Sequence, residues 1–307
     1  MIIRHMRTAL TALTAELRRL KAAGITSVAV SDESLTALRA AVAAQKAAAR
    51  PSAPPGALAP ALAPAAILAP EPAPEKTVAA EPKLPPPPVV RPATGDKAAR
   101  WAALKAQVLA DPVCLAQVRP GKKIVLGVGD LDARIMFVGE APGADEEIQG
   151  EPFVGPAGQL LTKMIVGTGL QRAQVYIGNI MNWRPDLPVD EDGVQIGNRP
   201  PTAEELAYCL PYLRAQIEIV DPAIIVALGG TAAQGLLGAG SFKTVGEIRG
   251  RWREFAGKPL IVTYHPSYIL RSPTNRSKRM IWEDFLKVMA KAELPISEKQ
   301  QAYFLDK

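Results

Sequence analysis

From Trp101 onward, short apolar runs of strand type alternate with stretches whose apolar positions recur at helical spacing. That alternation predicts a parallel sheet covered on both faces by helices. Strands are predicted over Arg134 to Gly139, Val175 to Ile180, Ala223 to Leu228 and Leu260 to Tyr264. Helices are predicted over Ala157 to Thr168, Thr202 to Val220 and Thr231 to Leu237, with Asn275 to Lys291 closing the unit. Two helix starts carry their own signals: Pro201-Thr202 followed by Glu204 and Glu205, and Gly229-Gly230-Thr231. Upstream the pattern changes. Leu10, Leu13, Leu17 and Leu20 mark a helical stripe over Arg7 to Ala23, and an alanine-rich helical stretch over Ser34 to Ala49 completes a hairpin. From Arg50 to about Thr94, Ala/Pro repeats favour an extended linker.

The expected organisation is therefore a helical appendage at 1–49, a linker at 50–95, an α/β domain at 96–295 and a tail at 296–307. Charge follows that division. The chain carries a net +6, but residues 1–100 hold 13 Lys/Arg against 7 Asp/Glu, and residues 101–307 hold 23 against 23. An α/β domain with no net charge can bind nucleic acid only through a local basic face. The two cysteines, Cys114 and Cys209, cannot build a disulfide framework and fit a reducing cytosol. No apolar run approaches the roughly 20 residues of a membrane span, and the amphipathic start does not read as a signal peptide. The expectation is a cytoplasmic monomer.

Candidate chemistry gathers at the C-terminal ends of the predicted strands, where open α/β sheets bind ligands. Gly139-Glu140, Asn179 and His265 all fall there. The first strand runs into Gly139-Glu140-Ala141-Pro142-Gly143-Ala144-Asp145-Glu146-Glu147. The following Gly150-Glu151-Pro152-Phe153-Val154-Gly155-Pro156-Ala157-Gly158 leads into a helix. Glycine and proline at this density shape a loop that a ligand can approach closely. No Lys-Ser/Thr follows as a phosphate loop requires. Near the other end, His265-Pro266-Ser267-Tyr268-Ile269-Leu270-Arg271 joins a strand-end histidine to a rigid turn, apolar residues and a cation.

The pairing of GEAPGADEEIQGEPFVGPAGQLL with HPSYILR closely resembles the family 4 branch of the uracil-DNA glycosylase superfamily. The resemblance extends from about Val108 to Lys287 and takes in Asn179, Asn198-Arg199-Pro200-Pro201-Thr202 and Leu228-Gly229-Gly230-Thr231. It implies a three-layer α/β/α sandwich with a four-stranded parallel sheet. It also implies an enzyme that flips uracil out of DNA and hydrolyses its N-glycosidic bond in base excision repair. Uracil leaves as an anion with charge on O2, so a donor is needed there, and His265 is the candidate. Asn179 matches uracil O4 and N3–H, and Phe153 offers a stacking face. Gly139, Glu140 and Ala141 would line the pocket, and Glu140 joins His265 as a catalytic candidate. Glu146 is the candidate for orienting water, with Asp145 and Glu147 as rivals. Leu270 would fill the gap left by the flipped base, with Ser267 and Arg271 at the DNA backbone. Tyr268 and Ile269 also belong to this wedge, and Lys243, Arg249 and Arg251 are read as exposed charges.

One part of the pattern is broken. The family holds a 4Fe-4S cluster through four cysteines. Here only Cys209 matches a ligand position, Trp183 stands where another cysteine is expected, and Cys114 is alone in the early region. No cluster and no metal are therefore expected. The stretch Asp186 to Gly197 reads as an insertion. A non-catalytic uracil or damage sensor on the same fold is the alternative function, and the N-terminal segment is a candidate tether to a repair or replication protein. Gly143 stands where another branch carries a bulky thymine-excluding tyrosine, so the sequence does not explain how thymine is refused.

Overall fold

The computed structural model describes residues 84–91, 93–190 and 193–305. The expected helical appendage and most of the expected linker lie outside the described residues. Within the linker's last part, Leu84 and Val90 pack against the domain's third hydrophobic cluster.

The sheet has six strands: β1 (Val128–Gly129), β2 (Ile135–Gly139), β3 (Tyr176–Asn179), β4 (Ile224–Leu228), β5 (Trp252–Phe255) and β6 (Lys258–Thr263). Their order across the sheet is β1-β3-β2-β4-β6-β5. The central four, β3-β2-β4-β6, are mutually parallel, as the alternation of strand and helix predicts. The two edge strands pair antiparallel and extend the expected four-stranded sheet to six. Neither had a readable signature. β1 is two residues long, and three of the four residues of β5 are exposed, so neither presents an apolar run.

All five residues of β2 and of β4 are buried, because helices cover both faces of a parallel sheet. One face packs Met136, Val138, Ile225, Ala227 and Val262 in the first cluster. The opposite face packs Phe137, Val226 and Ile261 with Phe285 and Trp282 in the second. Side chains alternate across a strand, so residues one apart fall in different clusters. The long α1 (Ala203–Val220) begins at Thr202, whose side chain accepts the Glu205 N–H while the Glu205 carboxylate accepts the Thr202 N–H. The closing α2 (Asn275–Lys291) spans the expected residues and buries Ile281, Trp282, Phe285, Val288 and Met289. Residues beyond 295 fold back onto this helix: the Trp282 indole N–H donates to the Gln300 carbonyl at 2.6 Å.

Candidate functional site

The parallel register brings Gly139, the last residue of β2, beside Asn179, the last residue of β3. Backbone bonds prolong this pairing past the strands: Ile180 N–H donates to the Gly139 carbonyl at 3.0 Å and Met181 N–H to the Glu140 carbonyl at 3.1 Å. A methyl group on Gly139 would overlap both the Asn179 Oδ1 and the edge of the Phe153 ring. Glycine is thus what lets three separate chain segments meet at one point. Asn179 is 5% exposed, and its Oδ1 has no hydrogen-bond partner among the described residues.

Phe153 closes the pocket from the side. Its ring centroid lies 5.6 Å from that of His265, with the planes tilted by 32°. The backbone that places it is strained, since Phe153 has φ of 55°, a left-handed conformation costly for an aromatic residue. That conformation is held from two sides. The Arg172 guanidinium donates to the Pro152 carbonyl at 2.7 Å. The Glu146 carboxylate accepts the N–H groups of Val154 and Gly155 at 3.1 and 3.0 Å, and its other oxygen accepts the Gly143 N–H at 3.0 Å. Glu146 therefore clamps the loop after β2 to the loop that carries Phe153.

His265 follows β6. Its Nδ1 accepts the Ser267 backbone N–H at 3.2 Å and lies 2.9 Å from the Ser267 hydroxyl. A backbone N–H can only donate, so Nδ1 is the acceptor and the neutral ring carries its proton on Nε2. Burial, with the nearby positive charge of Arg271, lowers the imidazole pKa to about 4. Arg271 in turn donates to the Ser267 hydroxyl at 3.0 Å, so Ser267 and Arg271 are joined to His265 in one chain of hydrogen bonds. In the same turn Tyr268 stacks on Tyr264 with centroids 4.4 Å apart, Ile269 is buried, and Leu270 is 48% exposed.

The acidic run separates into distinct environments. Burial raises the Glu140 pKa against a hydrogen bond from Thr231. Glu147 is buried and paired with Arg184 at 2.8 Å. Asp145 lies close to Gly155. Two further residues emerge only in three dimensions. Arg184, 7% exposed, donates to the Asn198 Oδ1 at 2.9 Å and the Gly197 carbonyl at 2.7 Å, which ties the 186–197 stretch to the site loop. Asp284 holds the end of the strand that leads to His265: it accepts the Thr263 hydroxyl at 2.6 Å and the Arg249 Nε–H at 3.1 Å. Arg249, read from sequence as an exposed charge, is instead a partly buried partner whose side chain is 17% exposed. No local motif announces such pairs, because their members lie 14 and 35 residues apart.

A profile of the Uracil DNA glycosylase superfamily matches residues 126–286, a span that holds every residue of this pocket. The chain belongs to the Uracil DNA glycosylase superfamily. Among its curated relatives, a type-4 uracil-DNA glycosylase of Thermotoga maritima is 44% identical over 165 residues, covering 53% of this chain and 80% of the relative. A type-4 uracil-DNA glycosylase of Archaeoglobus fulgidus is 42% identical over 160 residues, 50% of this chain and 75% of the relative. A type-5 uracil-DNA glycosylase of Pyrobaculum aerophilum is 32% identical over 155 residues, 45% of this chain and 63% of the relative.

The iron-sulfur cluster that resemblance to family 4 implies does not fit the residues of this glycosylase-superfamily chain. Cys114 and Cys209 are fully buried in one hydrophobic cluster with Trp183, Tyr208 and Tyr212. Burial pushes both thiols well above the ordinary range, and two cysteines are fewer than the four ligands that a cluster takes. Trp183 is 1% exposed and fills space with an indole where a ligand is expected. Asp111 is held there by Tyr212 O–H at 2.6 Å, Tyr208 O–H at 2.9 Å and Cys114 N–H at 2.7 Å. Burial opposes its ionisation, but these bonds together keep its pKa below the usual value. Among the described residues no group of three or more His, Cys, Asp or Glu could hold a metal ion.

Proposed function

We propose that the chain is a uracil-DNA glycosylase of the type-4 branch, which flips uracil from DNA, hydrolyses the bond between uracil N1 and deoxyribose C1′, and leaves an abasic site. The observation that carries this reading is the unpartnered, buried Oδ1 of Asn179 at the point where Gly139, Phe153 and His265 converge. Leaving a buried acceptor unpaired costs about 1–3 kcal/mol, a cost that a ligand N–H removes. The uracil edge offers N3–H to Oδ1 and O4 to the amide NH₂. Cytosine presents an acceptor at N3 and a donor at N4, and so meets like against like.

The remaining roles follow from the same pocket. The flipped ring lies on the Phe153 face. Neutral His265 donates a hydrogen bond from Nε2–H to uracil O2, where negative charge develops as the C1′–N1 electron pair leaves with the base as its anion. Water adds to C1′ and gives up a proton. Glu140 is the nearest fit for the base, because its burial raises the carboxylate's proton affinity. Glu146 spends its oxygens on three backbone N–H groups, which makes it a positioning residue in place of the water-orienting role expected from sequence. Gly139 and Ala141 line the pocket, Leu270 is exposed to act as the wedge, and Ser267 and Arg271 support His265 as well as the DNA backbone. The chemistry proceeds without a cluster or metal.

The test is single-turnover uracil release from single- and double-stranded oligonucleotides in EDTA. Wild type should leave abasic sites, and Asn179→Ala and His265→Ala should each be slower by about 10²-fold or more. Tight binding to uracil DNA with no release would favour a sensor and defeat the enzyme reading.

A further inference from the structure

A 560 Å³ groove lies on the outer side of the site loop, lined by Lys105, Arg119, Lys122 and Lys123, with Glu151 as its one acidic residue. This is a concentration of positive charge in a region, residues 101–307, whose Lys/Arg and Asp/Glu balance at 23 each. Two of the cations are already engaged by acids: Arg119 pairs with Asp186, and Lys122 lies 3.8 Å from Glu147. The other two are not. Lys105 makes no ion pair among the described residues, and the Lys123 ammonium donates only to the Gln149 carbonyl at 3.3 Å. Flanking them, Leu109 and Leu115 are 42% and 53% exposed in the groove wall.

Gln149, Gly150 and Glu151 also line the groove and run directly into Pro152 and Phe153. The Lys123 N–H bonds the Glu147 carbonyl at 2.8 Å, so the cationic wall is fixed to the loop that forms the base pocket. We infer that this groove is a DNA-backbone site for the strand that carries the target base, with Lys105 and Lys123 at its phosphates and Leu109 and Leu115 against its sugars. The inference rests on the glycosylase reading for its choice of ligand. A polymer of phosphates separated by apolar sugars satisfies both the free cations and the exposed leucines, which a small anion does not.

The experiment compares the full-length chain with Lys105→Gln/Lys123→Gln. Fluorescence anisotropy on a long uracil-free single strand is measured across a salt series, and uracil release is measured from a trinucleotide centred on deoxyuridine. The variant should bind the long strand about tenfold more weakly at low salt. The slope of log K against log salt should fall by about 1.4, that is two phosphate contacts at about 0.7 each. Release from the trinucleotide, which has only two phosphates to offer, should change far less than binding of the long strand. If the double variant melts at a lower temperature, Lys105→Gln alone, at an exposed helical position, should give half the slope change. Unchanged affinity and slope overturn the inference. So does loss of binding to an acidic, leucine-containing peptide with DNA binding intact, which makes the groove a protein-docking site. Because the binding strand lacks uracil, a wild-type chain that releases no uracil sinks the enzyme reading while the groove result still stands.

Discussion

At the residue scale, the site depends on protonation states that the surroundings impose. His265 is kept neutral because burial disfavours the charged ring and Arg271 adds to that cost. Its pKa of about 4 lies below the ordinary 6.5, so the stability it contributes is present above the unfolded value and lost as pH falls towards 4. The chain holds only two histidines, so imidazole resonances can be assigned directly. We expect His265 to titrate near 4 by NMR, with its proton on Nε2 throughout the neutral range; a midpoint near 6.5 would contradict the buried, neutral donor. Glu146 gives a second prediction. A glutamine there offers one carbonyl oxygen and an NH₂ group to three N–H donors, so one of the two loops is released. Glu146→Gln should raise KM and lower kcat by about tenfold while leaving the shape of the pH–rate profile unaltered. Disappearance of one limb of that profile would identify Glu146 as the base instead.

At the element scale, the strand ends and the loops after them are held by buried polar pairs rather than by propensity. Thr263, the last residue of β6, donates to Asp284 on α2, which fixes where the chain leaves the sheet two residues before His265. Burial raises the Asp284 pKa to about 6, although the Thr263 hydroxyl and Arg249 pull it down. The native pKa exceeds the unfolded value of 3.8, so this group stabilises the fold most at low pH, and that contribution fades as pH rises through about 6. Denaturant unfolding should therefore show wild type losing about 2–3 kcal/mol between about pH 4 and pH 7 relative to Asp284→Asn. Parallel curves for the two proteins would remove the coupling. These pairs also explain what could be read in advance. The central strands and the helix starts carry local signals in apolar run, period and cap, whereas β1, β5 and the Arg184–Asn198 and Arg249–Asp284 contacts depend on residues distant in sequence.

At the scale of the whole molecule, the region around Trp183 decides what holds the domain together. Trp183, Cys114, Cys209, Tyr208 and Tyr212 pack together with Asp111 bonded to both tyrosines, so an aromatic side chain stands where one of the family's cluster ligands is expected. Protein purified from iron-supplemented cells should contain no stoichiometric iron or sulfide and no absorbance near 400 nm, and its melting temperature should be the same with and without chelator. Stoichiometric iron, or a fall in melting temperature on chelation, would overturn the packed-core account. Trp183→Ala should cost about 3–5 kcal/mol as the cavity term for a buried tryptophan, measured by urea unfolding.

The amino-acid sequence by itself determined the α/β class, the central parallel strands and the placing of Gly139, Asn179 and His265 at strand ends. Apolar period and chain order are local properties that survive without a structure. It also showed that too few cysteines are present for the family's cluster. Tertiary structure alone decided that Asn179 is left with an unpartnered oxygen, that Glu146 braces two loops, that Arg249 is paired with Asp284, and that four cations share one groove. Each of those depends on which distant residues meet and which donors and acceptors are already taken, and hydrogen-bond satisfaction and local charge have no one-dimensional trace.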